Sequence, residues 1–140
     1  MGSVNPWIIV PGRKWSDKEI DVHAQLVVAA KMFNNSHICA SPQVLVTCKN
    51  WPQRQQFLDA VKKYLKAYPN TVPYYPNSDK SYAQHLKKLS EESKEEVVMK
   101  KDATFDQEQH PVFATGVKKD HFVTKQEAFC PILGEVPLDV

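Results

Sequence analysis

The residue of this sequence best suited to nucleophilic chemistry is Cys39. It lies between a predicted helix and a predicted strand, and loops held by a rigid scaffold commonly carry reactive side chains. A thiolate is stabilised by nearby positive charge or oriented backbone amides, and His37 stands two residues before Cys39. This spacing alone is weak evidence, because a cysteine in an apolar stretch is commonly a small core residue.

Metal binding is the other chemistry that these residue types allow. His23, His37, Cys39 and Cys48 are the candidate ligands, but their spacing matches no recognised zinc pattern, so we predict no metal site. The chain has three cysteines, and none of them form a CxxC pair. The odd count, with an N-terminus that lacks a basic and long apolar leader, favours reduced thiols and a cytoplasmic protein.

Composition and charge exclude several classes of partner. The chain has 140 residues, of which 42% are hydrophobic and 24% charged, as in an ordinary soluble globular domain. The formal net charge is only +2, and lysines are interleaved with glutamates, so we expect no nucleic-acid partner. No apolar run approaches the roughly 20 residues that cross a bilayer, so we expect no membrane association.

The first half of the chain predicts a strand, a helix, a second strand and a second helix. Residues 7–10 are an apolar run that ends at a Pro-Gly turn, and Ser16 with Glu19 forms a capping box. The helix that this box opens extends to about Phe33, and its apolar residues on several faces predict burial on several sides. Residues 43–48 are rich in β-forming types, and the helix after Pro52 carries a regular apolar stripe: Phe57, Val61, Tyr64, Leu65 and Tyr68.

The second half predicts one more helix and three short strands. A proline-rich loop over residues 70–77 precedes a helix over residues 78–92, with Ser78 as its cap and Tyr82, Leu86 and Leu89 facing inward. Residues 97–99, 112–115 and 132–136 are strand candidates. Strands that alternate with helices indicate an α/β fold, and the residues alone carry the inference no further.

Three segments resemble the aldehyde dehydrogenase superfamily in the family's order. Residues 33–40, FNNSHICA, resemble its active-site segment F-x-N-x-G-Q-x-C. Residues 2–10 resemble E-L-G-G-K-x-P and the strand that follows, and residues 127–133, EAFCPIL, resemble E-x-F-G-P-V-L. The middle of the chain, residues 51–124, resembles only an atypical branch. The resemblance implies part of an aldehyde-dehydrogenase-like catalytic domain, with a mostly parallel sheet flanked by helices.

The resemblance also implies roles for individual residues. Cys39 corresponds to the nucleophile that attacks a small-molecule aldehyde, forming a thiohemiacetal that gives hydride to NAD or NADP and leaves a thioester for hydrolysis. Its backbone amide corresponds to half of the oxyanion hole. Glu127 corresponds to the glutamate that binds the nicotinamide ribose, and Phe129 to the residue beside the nicotinamide ring. The ordinary alternatives are a solvated carboxylate at Glu127 and a core anchor at Phe129.

The sequence departs from the family pattern at three places. Ser36 replaces a glycine, His37 replaces a glutamine, and Cys130 replaces the glycine after Phe129. Ser36 adds a side chain where the backbone makes a tight approach, and His37 either perturbs the thiol or simply packs. These changes indicate a divergent substrate class or a relaxed function.

The resemblance further implies that parts of the family's machinery lie outside this sequence. Met1 and Gly2 match the L-G of E-L-G-G, so the general-base glutamate would fall just before residue 1. We therefore expect residues 1–140 to form a single partial catalytic domain, without the cofactor-binding domain or the oligomerisation segment. Alone, this domain is expected to have little dehydrogenase activity and not to bind NAD(P) tightly. The alternative is a non-enzymatic partner-binding or regulatory module that keeps the fold and self-associates through the surface left by missing domains.

Overall fold

The fold is a five-stranded sheet with helices on both faces, seen in a computed structural model that describes residues 2–92, 97–98 and 108–139. The elements in chain order are β1 (Asn5–Ile8), α1 (Asp17–Met32), β2 (Pro42–Cys48), α2 (Arg54–Ala67), α3 (Ser78–Glu92), β3 (Val97–Val98), β4 (Val112–Ala114) and β5 (Ile132–Leu138). Two short 3₁₀ turns, Phe33–Ser36 and Phe122–Thr124, complete the described elements.

The strand order is β1-β2-β5-β4-β3, and the first four strands in this order run parallel. Among the described strands, β3 alone pairs antiparallel, with β4. Parallel strands need crossovers, which α1 supplies between β1 and β2 and the segment with the 3₁₀ turn Phe122–Thr124 supplies between β4 and β5. The helices α1 and α2 pack on one face of the sheet and α3 on the other. The predicted α/β fold with a mostly parallel, helix-flanked sheet is confirmed.

α1 begins at the predicted capping box. The Ser16 hydroxyl accepts from the Glu19 amide, and the Glu19 carboxylate accepts from the Ser16 amide. The helix ends at Met32, one residue before the predicted end. The expectation of burial on several sides is wrong, because Leu26 is 53% exposed and Ala29 is also exposed, while one stripe faces the core. Alanine favours the helical conformation whether or not it is buried. The number of apolar residues in α1 therefore overstated how many faces of the helix contact the core.

α2 and α3 bury the stripes that their periodicity predicts, with one correction. In α2, the predicted core residues Phe57, Val61 and Leu65 are buried. In α3, the predicted core residue Leu89 is buried, and Tyr82 and Leu86 are half-buried. Ser78, however, is the first residue of α3 and not its cap. Its hydroxyl lies 2.8 Å from Nε2 of His37 and accepts from Gln109, so it is occupied by tertiary contacts.

β1 spans residues 5–8 and not the predicted residues 7–10. Asn5 and Pro6 already pair with β2, across an irregularity in register, and Ile9 adds one further bond to Val46 (N···O 2.9 Å). The prediction missed the start of the strand because it relied on a run of apolar residues, and Asn5 is polar. The candidate strand at residues 97–99 is observed at residues 97–98, and Met99 lies outside the described residues.

Each face of the sheet has its own hydrophobic core, and β2 and β5 contribute to both. Leu45 and Leu133 point toward α1 and α2, whereas Val44 and Ile132 point toward α3. Successive strand residues alternate between faces, so two strands buried on both sides read as continuous apolar runs. In the described part of the chain, no helix is both long enough and apolar enough to cross a bilayer.

A buried carboxylate holds the α2 face of the sheet. Glu135 in β5 is fully buried and forms a bidentate ion pair with Arg54 at the start of α2 (2.8 and 2.9 Å). The Thr47 hydroxyl and the Gly116 amide also donate to this carboxylate, at 2.5 and 2.7 Å. One side chain therefore joins two strands, a helix and a loop, and its charge is fully compensated.

We predict that Arg54→Met strongly destabilises the fold. Removing one partner of a buried ion pair leaves an uncompensated charge, which costs about 3–5 kcal/mol. Urea unfolding followed by circular dichroism measures this loss. Arg13→Met, which breaks the exposed pair with Glu19, is the control and should leave the midpoint nearly unchanged. Equal, small effects of the two changes would show that Glu135 is not the anchor that its contacts indicate.

Candidate functional site

The candidate site lies where three neighbouring parallel strands begin. β1, β2 and β5 are adjacent and parallel, so the segments that precede them meet at one edge of the sheet. Cys39 precedes β2, and Glu127 and Phe129 precede β5. These three predicted residues line one cleft of about 340 Å³, which we call the cysteine cleft. Its other lining residues are Tyr75, Pro76, Asn77, Ser78, Ser81 and Ala128.

The turn before Cys39 has an unusual backbone. Asn34, Asn35 and Ser36 have φ values of 52°, 55° and 63°, in the left-handed region that favours glycine. Ser36 therefore keeps the conformation that suits the family's glycine, and its buried hydroxyl donates to the Lys31 carbonyl. Consecutive left-handed residues persist only where surrounding contacts hold them, and such conformations are common at functional sites.

Cys39 is exposed at the end of this turn. The Asn5 side chain donates to the carbonyl oxygens of Cys39 (2.5 Å) and Ser41 (3.1 Å), which fixes the loop against β1. Among the described residues, no hydrogen bond occupies the backbone amide of Cys39. The thiol is thus accessible, and an adjacent N–H is available to a ligand oxygen.

The His37 side chain is buried and contacts Ser78, Tyr74 and Phe129. The ring is buried, its Nε2 lies 2.8 Å from the Ser78 hydroxyl, and its centroid is 4.9 Å from Tyr74 and 5.9 Å from Phe129. Burial lowers the pKa of His37, which favours the neutral ring at pH 7. Of the two alternatives given by the sequence, these contacts favour packing.

Glu127 and Phe129 are positioned by Gln43. The Gln43 amide group donates to the carbonyls of Val123 and Gln126, both at 2.7 Å, and its oxygen accepts from the Ala128 amide at 2.8 Å. The half-buried Glu127 carboxylate lies beside Gly2, where an added Cβ would stand 3.6 Å from Oε2.

Phe129 shares the strained geometry of the cysteine turn. Its φ is 51°, rare for a bulky residue, and its ring lies 4.9 Å from that of Tyr75. Cys130, the next residue, is fully buried, and burial raises its pKa to about 12. Of the two cysteines, only Cys39 is therefore suited to nucleophilic attack near neutral pH.

The sequence reasoning missed Lys31, a buried cation beneath the site. Lys31 is 3% exposed and borders a small recess shared with Ser36, Ser41 and Glu127. Burial lowers its pKa to about 8. A lysine in the last turn of a helix is normally a surface residue that interacts with the helix dipole. Its place on the same stripe as Ala24 and Val28 was the signal that could have identified it.

The structure does not gather the candidate metal ligands. His23 is exposed, and its ring packs against the ring of Trp15, with 4.6 Å between the two centroids. In the described part of the chain, no three His, Cys, Asp or Glu residues are grouped closely enough to hold a metal ion.

The fold matches part of solved aldehyde dehydrogenases. The whole chain superposes on NAD-dependent benzaldehyde dehydrogenase from Corynebacterium glutamicum (TM-score 0.81, 16% identity) and succinate-semialdehyde dehydrogenase from Burkholderia pseudomallei (TM-score 0.83, 17% identity), and covers 30% of each chain. It also covers 29% of NADP-dependent glyceraldehyde-3-phosphate dehydrogenase from Bacillus halodurans, a complex with NADP (whole chain, TM-score 0.82, 12% identity).

These matches define the class of fold. The chain has the fold of part of an aldehyde dehydrogenase and spans about 30% of the length of the solved structures that it resembles. No protein-family model matches the sequence. No curated protein matches it either.

We predict that Lys31 makes the fold more stable as the pH rises from about 8 toward 10.5, the ordinary lysine value. In this window the unfolded chain keeps a proton that the folded chain has lost, so deprotonation favours the folded state. The gain is on the order of 3 kcal/mol as an upper limit. Chemical denaturation at several pH values measures it.

Other groups titrate in the same window, so the Lys31 contribution is taken as the difference between the wild-type chain and Lys31→Met. Burial raises the pKa of Cys130 and Tyr82, each to about 12, so these groups favour the folded state less as pH rises. Lys66→Met, at an exposed position, is the matched control. If the Lys31→Met chain shows the same pH dependence as the Lys66→Met chain, Lys31 is not a buried cation.

Proposed function

We propose that this chain forms the nucleophile-bearing part of an NAD(P)-dependent aldehyde dehydrogenase, which converts an aldehyde to a carboxylic acid. The observation that carries the proposal is the common cleft of Cys39, Glu127 and Phe129. These residues were singled out from two separate segments, residues 33–40 and 127–133, by resemblance to one family. Their meeting in one cleft, in a fold like that of solved aldehyde dehydrogenases, supports a shared role.

The exposed Cys39 thiolate attacks the carbonyl carbon of the aldehyde and forms a thiohemiacetal. The unoccupied amide of Cys39 donates to the oxygen on which negative charge develops, and such preorganised donors lower the barrier. Loss of hydride from the former aldehyde carbon leaves a thioester on Cys39. Water then attacks this thioester, which releases the carboxylic acid and restores the thiol.

The cysteine cleft has features that fit a nicotinamide cofactor. Glu127 brings a carboxylate that can accept from two vicinal ribose hydroxyls, and Gln43 keeps its segment in place. Phe129 brings an aromatic ring, braced by Tyr75, for a flat heterocycle. When bound, the nicotinamide accepts the hydride. Glu127 orients the ribose, and Phe129 excludes water from one side of the reacting carbon.

The 140 residues by themselves are expected to perform only the first part of this chemistry. The solved dehydrogenases of similar fold are more than three times as long, since the chain covers about 30% of each. We therefore propose little or no aldehyde oxidation by the isolated chain and no tight binding of NAD(P). Attack by Cys39 needs only the thiol and the nearby amide, and it is the step that the chain can be tested for.

We predict that p-nitrophenyl acetate acetylates Cys39. The thiolate attacks the ester carbonyl, p-nitrophenolate leaves, and an acetyl thioester remains on Cys39. A burst of nitrophenolate, with the acetyl group located by peptide mass spectrometry, measures the reaction. Cys130 should stay unmodified because it is fully buried and its pKa is raised to about 12.

Two variants distinguish a built site from an ordinary exposed thiol. Cys39→Ser should abolish the burst, and Asn5→Ala should slow it because the Cys39 carbonyl loses its anchor to β1. Asn50→Ala, a matched change at an exposed position just beyond the other end of β2, is the control. A burst no faster than that of free cysteine, with no effect of Asn5→Ala, would argue against the enzyme proposal.

A second candidate function is a partner-binding module that keeps the fold, and one observation favours it. β1 is one of the two edges of the described sheet, and Ile8 in this strand is 64% exposed while Val10 in the following segment is 76% exposed. Val22 and Leu26 on α1 are also exposed, at 44% and 53%. An open strand edge beside apolar side chains is a template for pairing, and a second copy is the partner that we propose.

For this candidate we predict that the isolated chain sediments as a dimer or larger species, and that Ile8→Lys makes it monomeric. Lysine on an edge strand blocks pairing by placing a charge where a partner strand would lie. Val72→Lys, at an apolar position that is 58% exposed elsewhere, is the control and should leave the mass unchanged. A monomeric wild-type chain at all concentrations would exclude self-association through β1.

A further inference from the structure

The water that hydrolyses the thioester must lose a proton, and the mechanism proposed above names no acceptor for it. A general base takes such a proton when it lies within hydrogen-bond reach of the water or is connected to it by one bridging group. The cysteine cleft contains two serine side chains, Ser78 and Ser81. Ser81 donates to the Ala128 carbonyl at 2.5 Å, so its proton is already bound. Ser78 instead contacts a base.

Ser78 connects the cysteine cleft to the buried ring of His37. It is the first residue of α3, and its Oγ lies 2.8 Å from Nε2 of His37. The Gln109 side chain donates to the same Oγ at 3.0 Å. Gln109 is itself buried, and its backbone pairs in both directions with Thr71 (N···O 2.9 and 2.7 Å). These contacts hold the serine oxygen between the histidine ring and the cleft.

The hydrogen-bond pattern assigns the protons of this pair. A serine hydroxyl has one proton and two lone pairs, and the side-chain nitrogen of Gln109 can only donate. If the Ser78 proton points to Nε2 of His37, then Nδ1 carries the ring proton and is the one group of the pair without a partner. The opposite tautomer leaves both Nδ1 and the Ser78 proton without a partner among the described residues. Since buried polar groups are normally paired, the network assigns Nε2 as the acceptor.

The His37 ring is neutral near pH 7 and can therefore accept a proton. Burial lowers the pKa of His37, the carbonyls of Asn35 and Asn34 offset part of this effect, and the charge of Lys31 in α1 adds to it. A neutral imidazole with an unprotonated Nε2 is the form that serves as a general base. His37 lies too deep to reach a substrate itself, so any proton that it accepts must come through Ser78.

We propose that Ser78 and His37 form a proton relay for the water that attacks the thioester on Cys39. The second lone pair of the Ser78 oxygen accepts from this water in the cysteine cleft. As the water oxygen bonds to the thioester carbon, a water proton passes to Ser78 and the Ser78 proton passes to Nε2 of His37. The carbon–sulfur bond then breaks, and the proton returns through Ser78 and cleft water to the Cys39 sulfur. The products are a carboxylic acid and the free thiol.

In this relay Ser78 is the catalytic residue, because it touches the reacting water, and His37 acts through it. The thioester rests on the function proposed above, whereas the relay rests on the contacts of Ser78. The relay serves hydrolysis alone, which follows the loss of hydride. It can therefore be tested on a thioester made without any cofactor.

The test follows hydrolysis of acetyl-Cys39 on the full 140-residue chain. p-Nitrophenyl acetate installs the acetyl group, the reagent is removed, and mass spectrometry follows the loss of the acetyl group. Because hydrolysis is timed after the reagent is removed, changes in the rate of acetylation do not enter. We expect His37→Gln and Ser78→Ala each to slow hydrolysis by about 100-fold, the lower end for general base catalysis. Glutamine keeps a polar group beside Ser78 but is not a base.

Two matched variants make the same changes away from the relay. His23→Gln alters an exposed histidine, and Ser90→Ala alters an exposed serine on the same helix as Ser78. Both should lose the acetyl group at the wild-type rate. Hydrolysis at the wild-type rate in His37→Gln or Ser78→Ala would overturn the relay. Transfer of the acetyl group from Cys39 to Ser78 would also overturn it, because the serine would then be a nucleophile.

The pH dependence of hydrolysis distinguishes a base from a ring that only packs. In the wild-type chain the rate should level off above the pKa of His37, where the ring is neutral, and fall as acid protonates it. In His37→Gln the rate should instead rise steadily with hydroxide concentration. A level region that persists in His37→Gln would show that another group is the base.

A measurement on the unmodified wild-type chain separates failure of the relay from failure of the enzyme proposal. If Cys39 is not acetylated, the proposed nucleophile is wrong, and the relay is then tested through the nitrogen NMR shifts of the His37 ring. The relay requires a proton on Nδ1 and none on Nε2 at neutral pH. A proton on Nε2 would refute the relay whatever the reactivity of Cys39.

Discussion

The geometry of the candidate site depends on the side-chain amide of Gln43. This one group makes three hydrogen bonds to the segment over residues 123–128. Gln43 is the second residue of β2. Because Gln43 is buried, each of these bonds replaces water that cannot reach the backbone there. The strand that follows Cys39 thereby fixes Glu127, so the Cys39 loop and the Glu127 segment share one rigid support.

Strand topology explains why such a link is possible. Since β2 lies between β1 and β5 and runs parallel to both, the loops that enter these three strands lie side by side. Asn5 secures the Cys39 loop from β1, and Gln43 secures the Glu127 segment from β2. Open parallel sheets more commonly bind ligands at the carboxyl ends of their strands. Farther along the strands of this sheet, Glu135 is paired with Arg54 and Thr47. These contacts hold α2 against the sheet.

Local patterns predicted the elements better than they predicted the contacts between them. The capping box at Ser16 and the stripe in α2 are set by neighbours within four residues, so they were readable from the sequence. Asn5, Gln43 and Lys31 act across 34 or more residues or through burial, and their residue types indicate surface positions. Residue type and position indicated Cys39 only weakly, and Glu127 and Phe129 were found only through resemblance, because spacing along the chain does not encode a cleft that topology assembles.

Two of the three departures from the family pattern, Ser36 and His37, form specific contacts in the turn before Cys39. Ser36 takes the left-handed conformation and satisfies its hydroxyl at the Lys31 carbonyl. The Nε2 atom of His37 lies 2.8 Å from the Ser78 hydroxyl, which in turn accepts from the Gln109 side chain at 3.0 Å. The ring at position 37 is thus linked, through two hydrogen bonds, to Gln109 in the segment before β4. The substitution at His37 is only partly satisfied, because its buried Nδ1 has no hydrogen-bond partner among the described residues, while its Nε2 ties the turn before Cys39 to the start of α3.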